Sequence, residues 1–186
     1  MILDTSLTSK IQYQNIFLIG MMGSWKSTIA KKLATELVLK FIDTDDEIEE
    51  ATEQTVADMF DEQEGESRFR KIESAYFVEK SQQSGYVIST GGGIVLRETN
   101  RIALQNNGIS IFLMASPEIL SHRIKNTDTR PLLDKDNQLK KLSKIWKDRK
   151  ELYEESAHLT IETDYLNPAQ VLEIIIKKLE VNIAVH

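Results

Sequence analysis

A glycine-containing loop between a short apolar run and an amphipathic stretch is the feature that most restricts the fold of this chain. Ile16–Ile19 predicts a strand, a helix is expected over 28–37, and the loop between them, Gly20–Ser27, reads GMMGSWKS. Glycines let backbone N–H groups turn inward, a helix start attracts anions, and Lys26 and Ser27 suit outer phosphates and a magnesium ion. The segment therefore predicts a phosphate-binding loop, the alternative being an ordinary strand-to-helix turn.

Further short runs rich in Ile, Val and Phe alternate with amphipathic stretches, which indicates a parallel sheet with crossover helices. Ser116-Pro117 and Asn167-Pro168 each place a capping side chain before a proline, as expected at a helix start. The length of 186 residues suits one domain, with a leader over 1–14 and a long loop over 125–138 of the kind that forms lids. The predicted strands are Ile16–Ile19, Leu39–Ile42, Tyr86–Ser89, Ser110–Met114 and Leu159–Glu162.

Two more segments follow predicted strands and carry candidate chemistry. Asp43 and Asp45 follow the second strand, and a persisting strand would point both carboxylates to one face, where they suit one metal ion and one hydroxyl proton. The alternative is that both are turn and helix-cap residues. Gly91–Gly93 follow the third strand, and three consecutive glycines indicate either a close approach to the backbone or a plain tight turn. Because ligands of open parallel sheets bind beyond the carboxyl ends of the strands, these segments should share one crevice.

Four arginines complete the candidate chemistry, namely Arg70, Arg123, Arg130 and Arg149. A guanidinium group grips a carboxylate with two hydrogen bonds and neutralises charge on a transferring phosphoryl group. Arg130 falls in the predicted long loop, where an arginine beside a phosphate site suits that second role. For each arginine taken alone, a solvated surface position is the plainer alternative.

Composition argues against several other functions. The chain holds 23 Lys and Arg against 29 Asp and Glu, a net charge of −6, so nucleic acid is not an expected partner. It has no cysteine, which excludes disulfides, thiolate metal sites and a cysteine nucleophile. No apolar run approaches the ~20 residues that cross a bilayer. Because the start of the chain also lacks signal and transit features, we expect a cytoplasmic protein with no membrane partner.

Taken in order, these motifs resemble those of the shikimate kinases, a family of small P-loop kinases of aromatic amino-acid biosynthesis. The resemblance covers about Asn15 to Leu179 and rests on GMMGSWKST, FIDTD, FR followed by Glu73, STGGG, RPLL and RKELYEE. It implies a three-layer α/β/α sandwich with a central five-stranded parallel sheet and a mobile lid. It also implies ATP and Mg²⁺ as cofactors, and shikimate as the small-molecule partner of a monomer that phosphorylates the 3-hydroxyl of shikimate.

Carried over position by position, the resemblance implies four groups of site residues. Lys26, Asp45 and Arg130 would be catalytic, with Asp45 receiving the proton of the attacking hydroxyl. Shikimate would be bound by Asp45, Arg70, Gly91, Gly92, Gly93 and Arg149. ATP would be bound by Gly20, Gly23, Ser24, Trp25, Lys26, Ser27, Thr28, Arg123 and Arg130. Ser27 and Asp43 would hold Mg²⁺.

Trp25 departs from the family pattern, which has glycine between Ser24 and Lys26. A non-glycine residue held at positive φ costs ~1–3 kcal/mol, and the indole needs space. Either the indole points away from the phosphates and packs toward the lid or the adenine, which leaves an active enzyme, or the loop cannot take ATP. The second outcome gives the alternative of a catalytically impaired binding or regulatory module, and a kinase for another polyol acid is a further alternative. Tyr165 also stands where some members place an arginine against adenine, so the adenine contacts are left unassigned.

Overall fold

The apolar runs of the sequence pair in parallel into a five-stranded sheet. The computed structural model describes residues 14–125 and 135–184 of the chain. The strands are β1 (Asn15–Ile19), β2 (Lys40–Asp43), β3 (Tyr86–Ser89), β4 (Gly108–Met114) and β5 (Leu159–Glu162). All five predicted strands are confirmed: β3 and β5 have the predicted bounds, β1 and β4 begin one and two residues earlier, and β2 is shifted by one.

Helices connect the strands and cover both faces of the sheet. They are α1 (Lys26–Leu37), α2 (Thr44–Thr52), α3 (Val56–Asp61), α4 (Gly65–Ser81), α5 (Glu98–Asn106), α6 (Pro117–Lys125), α7 (Lys135–Ser156) and α8 (Pro168–Ala184). Pro168 begins α8 as predicted, because the Asn167 side chain accepts hydrogen bonds from the backbone N–H groups two and three residues further on. Pro117 likewise begins α6 directly after Ser116, which confirms the second predicted start.

The five strands are parallel and have the order β2-β3-β1-β4-β5. Strand β1 is therefore the switch point, where the addition of strands changes from one side of the sheet to the other. After β1 the chain builds β2 and β3 on one side and β4 and β5 on the other. The register pairs Ser89 with Asp43 on β2 and with Leu18 on β1, so these three strands end at the same level. Such a switch point leaves a crevice beyond the carboxyl ends of the strands, which is where the three predicted segments lie.

Side chains of β1 alternate between two apolar layers. Ile16 and Leu18 pack with α1 and α8, whereas Phe17 and Ile19 pack with α4, α5 and α7. Because both faces of the sheet are covered, β1 is buried along its whole length. The three-layer α/β/α sandwich expected from the sequence is therefore confirmed.

The predicted long loop over 125–138 is shorter at both of its ends. Lys125 is the last residue of α6, and the residues from Lys135 to Gln138 form the first turn of α7. The sequence of that turn is polar, and the apolar residues of the helix begin only after it. The turn therefore shows no helical period in the sequence. Residues 126–134, which include Arg130 and the expected lid, lie outside the described residues, as do residues 1–13 of the expected leader. Within the described ranges, no helix is long and apolar enough to cross a membrane.

The buried side chain of Asn15 ties together the amino ends of the strands, at the edge of the sheet opposite the crevice. Its Nδ2 donates to the carbonyl oxygens of Ser81 (2.9 Å), Gln83 (2.5 Å) and Asn107 (3.3 Å). Its Oδ1 accepts from the backbone N–H of Tyr86 at 3.2 Å. One side chain therefore joins the two connections that lead into β3 and β4 to the start of β1.

We expect Asn15→Ala to lower the free energy of unfolding by roughly 2–3 kcal/mol, because four backbone groups lose a hydrogen-bond partner at once. Urea denaturation followed by circular dichroism measures this loss. The matched control is Gln82→Ala, which truncates an exposed side chain in the same region and should change stability by less than about 0.5 kcal/mol. Equal effects of the two variants would contradict the role given to Asn15.

Candidate active site

The loop between β1 and α1 has the backbone that a phosphate site requires. Gly20 and Gly23 have φ angles of 143° and 79°, and a Cβ at Gly20 would lie 2.8 Å from the carbonyl oxygen of Leu113. Glycine is therefore needed at both positions. Lys26 begins α1, and its buried Nζ donates to the carbonyl oxygen of Met21 across the loop at 2.9 Å.

Lys26 is a buried cation that faces two carboxylates. Burial lowers its pKa to about 8, while the negative charges of Asp45 and Asp43 oppose this shift. A phosphate group in the loop would add negative charge beside the ammonium and stabilise its charged form. The arrangement suits an anion held between the loop and the end of β2.

The residue before Lys26 takes the left-handed conformation although it is not glycine. Trp25 has φ 69° and ψ 19°, so the loop keeps a backbone that glycine usually provides. Its half-buried indole packs against Arg123, whose Cζ lies 3.4 Å from the ring centroid. The Nη1 and Nη2 atoms of Arg123 donate to Oγ1 and the carbonyl oxygen of Thr163, at 3.0 and 2.5 Å. The indole thus lies toward α6, the helix before the expected lid, as one of the two expected outcomes requires.

Asp43 ends β2 and caps the helix that follows. Its Oδ1 accepts from the backbone N–H of Asp45 at 3.1 Å, and β2 stops at Asp43 while Asp45 lies in the first turn of α2. The strand does not persist to Asp45, so the condition for placing both carboxylates on one strand face is not met, and the alternative of a helix cap holds for Asp43. The cap bends the chain into α2, and Asp45 reaches the crevice from the helix instead.

Oxygen atoms from three strand ends meet beside the phosphate loop. Ser27 Oγ donates to Asp43 Oδ2 at 2.6 Å and lies 3.2 Å from Ser89 Oγ. A hydroxyl and a carboxylate are the hard donors that Mg²⁺ prefers, and Mg²⁺ usually takes its remaining ligands from phosphates and water. In residues 14–125 and 135–184, no group of three or more His, Asp or Glu side chains could hold a metal. Ser27 and Asp43 thus offer two oxygen atoms that fit a Mg²⁺ ion.

Three buried polar atoms near the end of β2 have no hydrogen-bond partner within the described part of the chain. They are Oδ1 of Asp45, Nε of Arg70 and Oε1 of Glu73. Arg70 and Glu73 also form an ion pair, with Nη1 and Oε2 2.7 Å apart, so each group keeps one atom free. Unpartnered buried polar atoms are rare in native proteins, so these three atoms are available to contact water or a ligand.

Asp45 is held between like and unlike charges. Burial raises its pKa to about 6, the carboxylates of Asp43 and Glu73 raise it further, and the cations Lys26 and Arg70 oppose the shift. A carboxylate with this pKa is ionised at neutral pH and still accepts a proton readily. That property suits a general base.

The glycines after β3 leave room for these charged side chains. A Cβ at Gly91 would lie 2.8 Å from Asp45 Oδ1, and a Cβ at Gly93 would overlap the guanidinium of Arg70. The close approach expected from the sequence is therefore an approach of protein side chains to the glycine backbone. The plain tight turn is ruled out as the full explanation.

The carbonyl oxygen of Gly92 accepts two hydrogen bonds from α7. Arg149 Nη1 donates to it at 2.9 Å, and the hydroxyl of Tyr153 donates to it at 2.5 Å. Tyr153 is fully buried and stacks on Phe112, with ring centroids 4.9 Å apart, and burial raises its pKa to about 12. The neutral tyrosine thus holds the glycine loop, and Arg149 is placed beside the same loop as Arg70.

Sequence reasoning assigned no role to Glu73 and Tyr153, two residues that position the site. The signal was their spacing: Glu73 lies three residues after Arg70 and Tyr153 four residues after Arg149, so each shares a helix face with an arginine. Of the other expected nucleotide contacts, Ser24 is buried and Thr28 is exposed near the start of α1.

Comparison with known proteins gives a consistent result. A family model described as shikimate kinase matches residues 22–180. A shikimate kinase of Vibrio cholerae is 42% identical over 170 residues, which cover 91% of this chain and 97% of the relative. A shikimate kinase of Thiobacillus denitrificans is 39% identical over 166 residues, which cover 89% and 90% of the two chains.

Solved structures show the same similarity. Shikimate kinase from Acinetobacter baumannii in complex with shikimate superposes with a TM-score of 0.85 and 34% identity, covering 95% of this chain and 98% of that one. A gluconokinase from Sinorhizobium meliloti superposes with a TM-score of 0.60 at 17% identity, covering 91% and 93%. The second similarity is one of fold alone.

We expect Asp45→Asn to stabilise the free protein, and more strongly as pH rises. Asp45 binds its proton more tightly in the folded chain, with a pKa of about 6, than at its ordinary pKa of 3.8. Folded-state stability is therefore lost as pH rises from about 4 to about 6. The variant should gain roughly 3 kcal/mol at pH 7.5 and roughly 1 kcal/mol at pH 4.5.

Urea denaturation at the two pH values measures the difference. Glu50→Gln, an exposed change on the same helix, is the control and should show no such trend. A gain that is the same at both pH values would mean that Asp45 does not carry the buried charge.

Proposed function

The chain belongs to the shikimate kinase family, and from this premise we propose that it transfers the γ-phosphoryl group of ATP to the 3-hydroxyl of shikimate through the side chains gathered at the end of the sheet. The observation that carries the assignment of residues is the set of unpartnered buried atoms on Asp45, Arg70 and Glu73. Shikimate has one carboxylate and three hydroxyls, so it offers both acceptors and donors to such a set.

The carboxylate of shikimate binds to Arg70 and Arg149 in this proposal. Arg70 has an unpartnered Nε and is held by Glu73, and Arg149 already donates to the Gly92 carbonyl from the opposite helix. Two guanidinium groups on different helices fix the orientation of a planar carboxylate. Glycines at positions 91 and 93 support this binding indirectly, because they leave room for Asp45 and Arg70 to lie against the backbone beside the substrate.

Asp45 acts as the base. Its carboxylate accepts the proton of the 3-hydroxyl while the hydroxyl oxygen forms a bond to the γ-phosphorus. The bond from that phosphorus to the bridging oxygen breaks, and ADP leaves with the electron pair. The pKa of about 6 leaves Asp45 ionised at neutral pH. Most of the rate enhancement comes from positioning and charge neutralisation, as in other phosphoryl transfers.

The nucleotide occupies the loop between β1 and α1. Lys26 contacts the outer phosphates, and backbone N–H groups around Gly20, Gly23, Ser24 and Thr28 surround them. Ser27 and Asp43 would hold Mg²⁺, which would supply positive charge to neutralise the phosphates. Both Nη atoms of Arg123 already donate to Thr163. We therefore assign neutralisation of the negative charge on the transferring phosphoryl group to Arg130, on the basis of the family resemblance.

The alternative of a catalytically impaired module rests on Trp25 alone, and the family comparisons do not favour it. The chain keeps Lys26 in the loop and keeps Ser27 in contact with Asp43. We further propose a single-domain enzyme, because all described strands form one sheet, and we keep the sequence-based expectation of a cytoplasmic monomer. Its partner is then shikimate, with no nucleic acid or membrane.

The proposal is tested by shikimate-dependent ADP production with the full chain, ATP and Mg²⁺. We expect turnover with shikimate and at most a trace with gluconate, a polyol acid without the ring. Silence of the native chain and of Trp25→Gly would refute the kinase assignment. Turnover by Trp25→Gly alone would restore the impaired-module alternative.

A matched pair of variants separates substrate binding from loop positioning. Arg149→Gln and Tyr153→Phe each remove one donor to the Gly92 carbonyl. We expect Arg149→Gln to raise the KM for shikimate by on the order of 30-fold or more, because a charge-assisted contact with the carboxylate is lost. Tyr153→Phe should raise it by about fivefold at most. Steady-state kinetics at saturating ATP give both values, and equal effects would mean that Arg149 only holds the loop.

A further inference from the structure

Trp25 is the residue in the phosphate loop that the family pattern does not explain. It takes the left-handed conformation at the residue before α1 and makes no side-chain cap hydrogen bond. An L-residue with a large side chain is strained in this conformation, whereas glycine is not. The indole must therefore contribute something that glycine could not.

The contact that the indole makes is with a single cation. The Arg123 guanidinium lies over the ring at 3.4 Å and also donates both Nη atoms to Thr163. Thr163 is fully buried, and its Oγ1 in turn donates to the carbonyl oxygen of Met114. Arg123 is thus held on one side by the indole of Trp25. On the other side it is held by Thr163, which follows β5 and is bonded to the end of β4.

The start of α6 is attached to the same edge. Oδ1 of Asp164, the residue after Thr163, accepts a hydrogen bond from the backbone N–H of Ser116 at 2.8 Å. Helix α6 is therefore held near its first turn by Asp164 and near its last turn by the stack of Arg123 on Trp25. Removing the indole would release the second attachment and leave the first.

We propose that Trp25 is a positioning residue for nucleotide binding: through its stack on Arg123 it couples the phosphate loop to α6. The proposal deepens the proposed function and rests on it, since the loop is taken to bind ATP. The strain of the left-handed backbone and the stacking energy oppose each other in folding. Because these two contributions to folding oppose each other, we expect loss of the indole to change nucleotide affinity more than stability.

Kinetics of the full chain test this coupling. We expect Trp25→Gly to raise the KM for ATP by on the order of tenfold, the size of one partly desolvated cation–π contact, while the KM for shikimate changes less than about twofold. Trp25→Phe keeps an aromatic face and should recover most of the loss, whereas Trp25→Leu, which keeps bulk without a π face, should not.

A double-mutant cycle adds a second criterion. Arg123→Gln should also raise the KM for ATP, and adding Trp25→Gly to it should cause little further change, because both changes break one contact. Multiplicative effects would overturn the proposal, as would a KM for ATP that Trp25→Gly leaves unchanged or lowers.

A measurement without turnover separates this proposal from the kinase assignment. The chain has two tryptophans, and Trp146 packs in the other apolar layer with its ring centroid 6.0 Å from that of Phe112. In a Trp146→Phe background, emission therefore reports on Trp25 alone. We expect ADP to change this emission, and Arg123→Gln both to shift it and to weaken ADP binding measured by calorimetry.

The outcomes are distinguishable. Coupled ADP binding without turnover on shikimate would sink the kinase assignment and leave the coupling standing. Turnover with an ADP affinity that is insensitive to Arg123→Gln and Trp25→Gly would sink the coupling alone. Thermal denaturation of each variant confirms that the protein compared is folded.

Discussion

A cluster of buried charges at the end of β2 is the constraint on which the rest of the site depends. Asp43, Asp45 and Glu73 bring three carboxylates close together, and burial makes each charge costly. Lys26 and Arg70 supply the opposing charge. Because this balance leaves Asp45 with a raised pKa and an unpartnered oxygen, the same arrangement that costs stability suits the base and the binding position proposed for Asp45.

The residues proposed for the two substrates follow different strands of the sheet. The groups proposed to bind shikimate follow β2 and β3 or come from α4 and α7, whereas the proposed phosphate loop follows β1 and is bordered by the ends of β4 and β5. The contact between Ser27 and Asp43 links the two sides. In the proposed function, the phosphate and the acceptor hydroxyl would meet beside β1, where the order of the strands in the sheet switches from one side to the other.

Most of the fold followed from local chemistry. Apolar runs buried on both faces predicted every strand, and the Asn167-Pro168 and Ser116-Pro117 pairs predicted two helix starts, because caps act within one turn of chain. The predicted loop over 125–138 was too long, because the first turn of α7 reads KDNQ and its sequence has no apolar period. The sequence allowed Asp43 either to continue β2 or to cap the next helix. The two alternatives differ only in the direction of the backbone, which local sequence leaves undecided.

The sequence by itself determined which chemical groups follow the first two strands, because residue type and order along the chain place Lys26 and Ser27 after β1 and Asp45 after β2. Only the tertiary structure decided how these groups are held. Glu73 pairs with Arg70 because α4 faces the glycine loop, and Tyr153 reaches the Gly92 carbonyl because α7 packs over β4. The indole of Trp25 contacts Arg123, which lies almost a hundred positions later in the chain. Such contacts depend on distances between elements far apart in the chain, and these distances follow from the packing of the sheet and its helices rather than from any local pattern.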